Sequence, residues 1–235
     1  MNNVDLSKEI LLVIAPHPDD EVLGCGGLIS KVKKAGGKVF VIIVCVGNQT
    51  QYGSISKTSA RKSELKQTMA FLDVDDYDLL FDDDETHLRL DMLPLKKLID
   101  LIESGSKVSI NKVKPTILAL PFGQSCFQDH EAVFRATFAA CRPKPKNIKH
   151  MVDTVLVYSI PSDMWSINNF EPNFFVDISN EIKSKLDALL HYKSQIHPDP
   201  HPCSIENVKR IAEVNGSLVG IKSAESFMCL RNLLK

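Results

Sequence analysis

The stretch Ile10-Leu11-Leu12-Val13-Ile14-Ala15-Pro16-His17-Pro18-Asp19-Asp20-Glu21 decides how the rest of the chain is read. Its first five residues are apolar without interruption and partly β-branched, as expected of a strand buried on both faces. Such a strand belongs to a parallel sheet covered by helices. From Gly26 onward Leu28, Ile29 and Val32 share a helical spacing, with Lys31, Lys33 and Lys34 ahead of a Gly36-Gly37 stop. Gly24, Gly26 and Gly27 are read as a tight turn leading into that helix. Val39 to Val46 is then a second buried strand, and the alternation continues. Helices are expected over Ser59 to Leu72, Leu93 to Glu103, Asp129 to Cys141 and Asn180 to Tyr192. Strands are expected over Asp78 to Phe81, Thr116 to Leu120, Thr154 to Ser159 and Phe174 to Ile178. The fold class is α/β, a Rossmann-like three-layer domain with a mostly parallel sheet and helices on both faces.

The 235 residues, 44% hydrophobic and 24% charged, suit one domain over 1–235 with a sizeable core. Lys plus Arg (28) nearly cancels Asp plus Glu (29), so no global field gathers nucleic acid or coats an anionic membrane. Cys25, Cys45, Cys126, Cys141, Cys203 and Cys229 include no Cys-x-x-Cys pair, unlike a disulfide scaffold or a zinc ribbon, and a reducing cytosol is the default. The start, Met1 to Glu9, has no basic flank, and Ile10 to Ala15 is too short for a signal core or a membrane span. The expectation is a soluble cytoplasmic protein without a nucleic-acid partner.

His17, Asp19, Asp20 and Glu21 fall directly after the first strand, where loops form the usual ligand-binding edge of such sheets. Imidazole and carboxylate together suit Zn2+, and a catalytic zinc takes three protein ligands and keeps one position open. The third ligand is sought on the same edge. The loop after Thr116 to Leu120 ends in Gln128-Asp129-His130-Glu131, which makes His130 the best placed. With His17, Asp20 and His130 as metal ligands, Asp19 remains as the catalytic base, and an ion there lowers the pKa of a bound water to about 7. Any one acid alone would be explained as a helix cap and His17 as a turn residue. The conjunction with Asp129-His130 favours the metal. Iron, cobalt or manganese would also suit two histidines and an aspartate.

The run Pro16-His17-Pro18-Asp19-Asp20-Glu21-Val22-Leu23-Gly24-Cys25-Gly26-Gly27 resembles the signature of the LmbE-like, or PIG-L, family of N-acetylglucosaminyl deacetylases. Resemblance continues in Arg61-Lys62-Ser63-Glu64, Gln128-Asp129-His130, Phe175-Val176-Asp177-Ile178, Tyr192-Lys193-Ser194-Gln195 and Ala224-Glu225-Ser226-Phe227, and so spans most of the chain. It implies zinc on His17, Asp20 and His130, and Asp19 as the base that later protonates the leaving amine. It also implies an N-acetylglucosamine-type amino-sugar conjugate as small-molecule substrate, acetate as product, and assembly into a homo-oligomer, a trimer or hexamer. Arg61 stands where the family's arginine holds sugar hydroxyls. Its competing reading is a surface arginine paired with Glu64 or another carboxylate.

The match departs at Phe127, where many relatives carry a further histidine. Its task then falls to zinc alone or to another group, for which His197 and His201, in the loop Ile196 to Pro202 of this chain or a neighbouring subunit, are candidates, against the plainer reading of exposed loop histidines. Asp82-Asp83-Asp84-Glu85 reads as a solvated loop rather than a metal-nucleotide site. Glu21 is left to brace the loop or to orient a ligand histidine, and Trp165 is open between sugar stacking and loop packing. Two other functions stay in view. One is the same metal chemistry on a different amide, and the other is a sugar- or nucleotide-binding protein with no catalytic metal.

Overall fold

The computed structural model describes residues 5–51, 53–145 and 147–233, so Met1 to Val4, part of the start read above, lie outside the described residues. In chain order the elements are β1 (Ile10–Ala15), α1 (Asp20–Lys34), β2 (Lys38–Cys45), a hairpin of β3 (Gln49–Gln51) and β4 (Ser54–Ser56), α2 (Thr58–Phe71) and β5 (Asp76–Phe81). There follow α3 (Leu95–Asp100), continued by a π-helical turn (Leu101–Gly105), α4 (Ile110–Val113), β6 (Ile117–Pro121), α5 (Gln128–Ala140) and β7 (Thr154–Tyr158). The chain closes with β8 (Phe174–Asp177), α6 (Ile182–Leu189), α7 (Ile205–Leu218) and β9 (Ala224–Asn232).

Seven strands form one sheet in the order β5-β2-β1-β6-β7-β9-β8. The first five run parallel, while β9 is antiparallel to both β7 and β8. The central strand β1 alternates its side chains between two cores. Leu11, Val13 and Ala15 pack with Val22, Leu65, Leu189 and Val208 from α1, α2, α6 and α7. Leu12 and Ile14 pack with Leu98, Ile110 and Val133 from α3, α4 and α5. Both faces being covered is what the unbroken apolar run required.

The start of α1 differs from the sequence expectation. The helix begins at Asp20, so Gly24, Gly26 and Gly27 lie inside it rather than in a turn before it. They are there for space. A Cβ on Gly24 would stand 2.2 Å from the Tyr158 ring. A Cβ on Gly27 would stand 2.5 Å from Ile178 Cγ2, and one on Gly26 3.0 Å from Lys185 Cγ. The buried Glu225 accepts hydrogen bonds from the Gly27 and Leu28 amides at 2.7 Å each and from Lys185 Nζ at 2.6 Å. In an ordinary helix interior Gly→Ala gains about 1 kcal/mol. Here Gly24→Ala is expected to lower stability by about 1–3 kcal/mol through overpacking against Tyr158, and a denaturant titration in which it stabilised the protein would contradict this packing.

Candidate active site

The strand order places β2, β1 and β6 side by side and parallel, so the segments that follow them open on one edge of the sheet. β1 leads through His17 into the first turn of α1, which carries Asp20. β6 leads into the first turn of α5, which carries Asp129 and His130. Two helix N-termini thus bring carboxylates to one place, where their exposed amides and dipoles favour negative charge.

His17, Asp20 and His130 are all buried and meet there. Asp20 Oδ2 accepts from the His17 amide at 3.0 Å and lies 3.3 Å from both His17 Nδ1 and His130 Nε2. One ligand atom from each of the three falls within 4.8 Å of the others. Donors held at about 2.0–2.2 Å around a tetrahedral zinc stand roughly 3.3–3.5 Å apart, so the spacing around Asp20 fits such an ion. The other nitrogen of His17, Nε2, lies 2.9 Å from Asp129 Oδ2, the carboxylate-to-histidine contact common behind metal-binding imidazoles.

A second donor set, His17, Cys45 and His87, shares His17 with the first. It is less suited to a metal. Arg61 Nη1 lies 3.0 Å from His87 Nε2, and a guanidinium only donates, so that nitrogen must accept. The His87 proton is then on Nδ1, the atom facing Cys45 Sγ at 3.9 Å, and leaves no lone pair there for an ion. Burial pushes His87 down to about 4, with the charges of His17 and Arg61 acting in the same direction.

The carboxyls differ as their environments dictate. Burial alone would raise Asp20, but His130 and His17 hold it far below the usual carboxylate range. Burial likewise opposes the shift of Asp129, which His17 and the Leu90 amide keep low. Asp19 goes the other way, raised well above its ordinary value by burial and then by the charge of Asp20, with Arg61 pulling against both. Its backbone sits at φ 109°, ψ −30°, a conformation that disfavours any residue with a Cβ. Asp19 occupies the N-cap of α1, yet its side chain makes no capping hydrogen bond, so the plain capping reading fails for it.

Glu21 braces this strained residue. Its Oε2 accepts from the Asp19 amide at 3.0 Å and its Oε1 accepts from the Tyr192 hydroxyl. Of the two roles open to Glu21, the bracing of the loop is the one its contacts support. Burial raises it to about 7 even against the Tyr192 hydrogen bond.

Arg61 is buried at 2% exposure, which overturns the surface-arginine reading, and Glu64 instead accepts from Ser194. Besides His87, Arg61 Nη1 donates to the Gly47 carbonyl at 3.1 Å. Phe127 packs against His130 with ring centroids 5.3 Å apart. His197 and His201 pack with their rings tilted by 53° and their centroids 4.5 Å apart, and His197 Nε2 lies 3.0 Å from Gln51 Oε1 on the hairpin. Trp165 is 83% exposed, so it does not pack its loop against the sheet. The acidic run is a solvated loop as expected, with Asp82 paired to Lys62 and Asp84 bound to Asn48. Cys45 and His87 escaped the sequence reading. The signal available for His87 was its place shortly after a strand, as with His17.

The charge state of His17 has a consequence for the metal-free chain. Burial alone would lower His17, but its contacts with the Asp129 and Asp20 carboxylates act against this, and its value lies well above the usual one. A charged imidazole must lose its proton to bind an ion, so affinity for zinc is expected to fall as pH falls, with about one proton released per ion bound. Calorimetry of zinc uptake in buffers of different ionisation enthalpy reads that proton, and an uptake heat independent of buffer would contradict it.

The chain is similar to known proteins over most of its length. The family model described as PIG-L, GlcNAc-PI de-N-acetylase, matches residues 12–141. The chain is 30% identical over 187 residues to the uncharacterized deacetylase YaiS of Escherichia coli (strain K12), covering 78% of this chain and 90% of that one. It is 25% identical over 224 residues to the diacetylchitobiose deacetylase of Thermococcus kodakarensis, covering 92% and 80%. Among solved structures, the conserved protein TT1542 from Thermus thermophilus superposes with a TM-score of 0.75 at 25% identity over 96% of each chain. With the signature running from β1 into α1, and with relatives matched over most of their length, the chain belongs to the PIG-L family and is a hydrolase of the N-deacetylase type.

Proposed function

We propose that the protein is a zinc-dependent deacetylase that hydrolyses the N-acetyl group of an N-acetylglucosamine-type sugar conjugate, releasing acetate and the free amine. The observation that carries the reading is the spacing of His17 Nδ1, Asp20 Oδ2 and His130 Nε2, with the strained, buried Asp19 next in sequence to a ligand. His17, Asp20 and His130 would hold the ion, which when bound supplies Lewis-acid polarisation of the amide carbonyl and of the attacking water. Asp19 takes the proton of that water. Its raised pKa makes it a better proton acceptor than an ordinary carboxylate, and lets it return the proton to the sugar nitrogen as the C–N bond breaks. Arg61, with Nη1 engaged by Gly47 and His87, has its other N–H groups to offer a sugar hydroxyl.

The sugar assignment draws support from the family description and from the relative that acts on diacetylchitobiose. The whole of residues 1–235 would act as one deacetylase domain. The six cysteines are all free thiols, which supports the cytoplasmic reading, and among the described residues no helix is long and apolar enough to cross a membrane. Acetate release from a panel of N-acetylglucosamine conjugates, with simple acylated amines as controls, tests the substrate class. Release from the sugars is expected. Turnover of the simple amides with none of the sugars would refute the assignment.

A further inference from the structure

The contacts behind His17 form a chain whose polarity is fixed at both ends. At one end Arg61 Nη1 can only donate, and it lies 3.0 Å from His87 Nε2, so His87 carries its proton on Nδ1. That N–H faces Cys45 Sγ at 3.9 Å. With its sulfur accepting, the Cys45 thiol is free to donate its own proton, and Asp129 Oδ2 stands 3.7 Å away. At the other end Asp129, an ionised carboxylate, can only accept, and its Oδ2 lies 2.9 Å from His17 Nε2. Every link from Arg61 to His17 therefore runs donor to acceptor in one direction up to Asp129. His17 must answer with an N–H on Nε2.

We propose that Cys45 and His87 are positioning residues of the metal site: through Asp129 they keep on Nε2 the one proton that His17 retains when it binds the ion, so that Nδ1, the nitrogen beside Asp20, is the one freed for the metal. The inference rests on the reading of His17, Asp20 and His130 as the metal ligands. Asp129 alone would favour this tautomer, but a carboxylate free to rotate or to receive its hydrogen bonds elsewhere orients an imidazole less firmly. Here Oδ1 is tied to the Leu90 amide at 2.9 Å and Oδ2 receives both His17 and the thiol, so the carboxylate plane is pinned from both sides.

The fold sets this chain of contacts at one edge of the sheet. Cys45 is the last residue of β2, and its amide donates to the Pro16 carbonyl at 2.9 Å, which sets it beside His17. His87 comes from the loop after β5, the neighbour of β2. Gly47 gives it room, since a Cβ there would stand 2.5 Å from His87 Cβ. Cys45 is fully buried and His87 is 5% exposed, so solvent does not compete for either.

Substitution of Cys45 separates this role from packing. Serine is smaller and more polar but accepts and donates as the thiol does. Valine fills the site and is well tolerated in cores, yet can do neither. If Cys45 merely packs, Cys45→Val is the milder change. If it relays, Cys45→Ser is. The measurement is the dissociation constant for zinc by competition with a chelator, with thermal unfolding of the metal-free proteins alongside. Cys45→Val and His87→Phe are each expected to weaken zinc binding about 10-fold or more, Cys45→Ser to stay within about threefold of the parent, and the double variant to lose little beyond either single one because both break the same chain. The inference is overturned by a Cys45→Val protein that binds zinc as the parent does, by Cys45→Ser binding as weakly as Cys45→Val, or by additive losses in the double variant. A parent chain that takes up no zinc overturns the ligand set itself and the relay with it.

Discussion

Replacing Asp19 by asparagine is expected to leave the fold and the metal in place while lowering the deacetylation rate by about 10³-fold, within the range that loss of a positioned proton carrier costs. The substitution removes little else. Asp19 is not among the three residues that would hold the ion, its side chain caps nothing, and its amide keeps Glu21 as partner whatever the side chain. An amide of the same size can neither take the proton of water nor return it to the sugar nitrogen. The pH profile should carry the same signature. Asp19 must be deprotonated to act, and burial with the neighbouring charge of Asp20 raises its pKa. The rate therefore falls as pH falls, on a limb above the usual carboxylate range of about 4, and the residual activity of Asp19→Asn lacks that limb. Asp19→Gly gives a second readout. With φ at 109°, glycine relieves strain worth about 1–3 kcal/mol, so the protein should become more resistant to unfolding as it becomes inactive. A fully active Asp19→Asn enzyme would refute the base.

The second large effect is expected at the ligands. His130→Ala removes one of the three proposed donors and should weaken zinc binding by more than the roughly 10–100-fold that loss of an outer partner costs. His17→Ala should do the same and in addition destabilise the metal-free chain by about 3–5 kcal/mol, the cost of breaking a buried pair. The difference has a structural origin. His130 faces Asp20, whereas His17 stands between Asp20 and Asp129 and leaves both carboxylates less well paired when it goes. Equal unfolding curves for the two metal-free variants would contradict this placing of His17.

Much of this site was legible because its residues sit immediately after strands whose character is unmistakable. β1, β2 and β6 are buried throughout or nearly so, and the acids and histidines that follow them could lie only on one edge. What escaped has, with one exception, specific causes. α1 begins earlier than its glycines suggest, because glycines ordinarily break helices and nothing local announces that Tyr158, Lys185 and Ile178 need their space. α7 does carry a local signal, the Ser204 cap followed by Ile205, Val208 and Ala212 at helical spacing, and its absence from the expected elements has no structural cause. β9 is covered closely only near its start, so its alternation fades toward Asn232. Cys45 and His87 are 42 residues apart and meet only because β5 and β2 pair in parallel, a tertiary fact that no local pattern carries. At Phe127, where the family resemblance leads one to expect a further histidine, the ring packs on His130.

Central to the proposal is a metal that His17, Asp20 and His130 would hold and on which the deacetylation would depend. The most direct test is acetate release from N,N'-diacetylchitobiose by the purified protein, followed after exhaustive chelation and again after return of one equivalent of zinc. Release is expected to be lost on chelation and restored by zinc. Release that continues unchanged in the chelated, metal-free protein would contradict the metal's role.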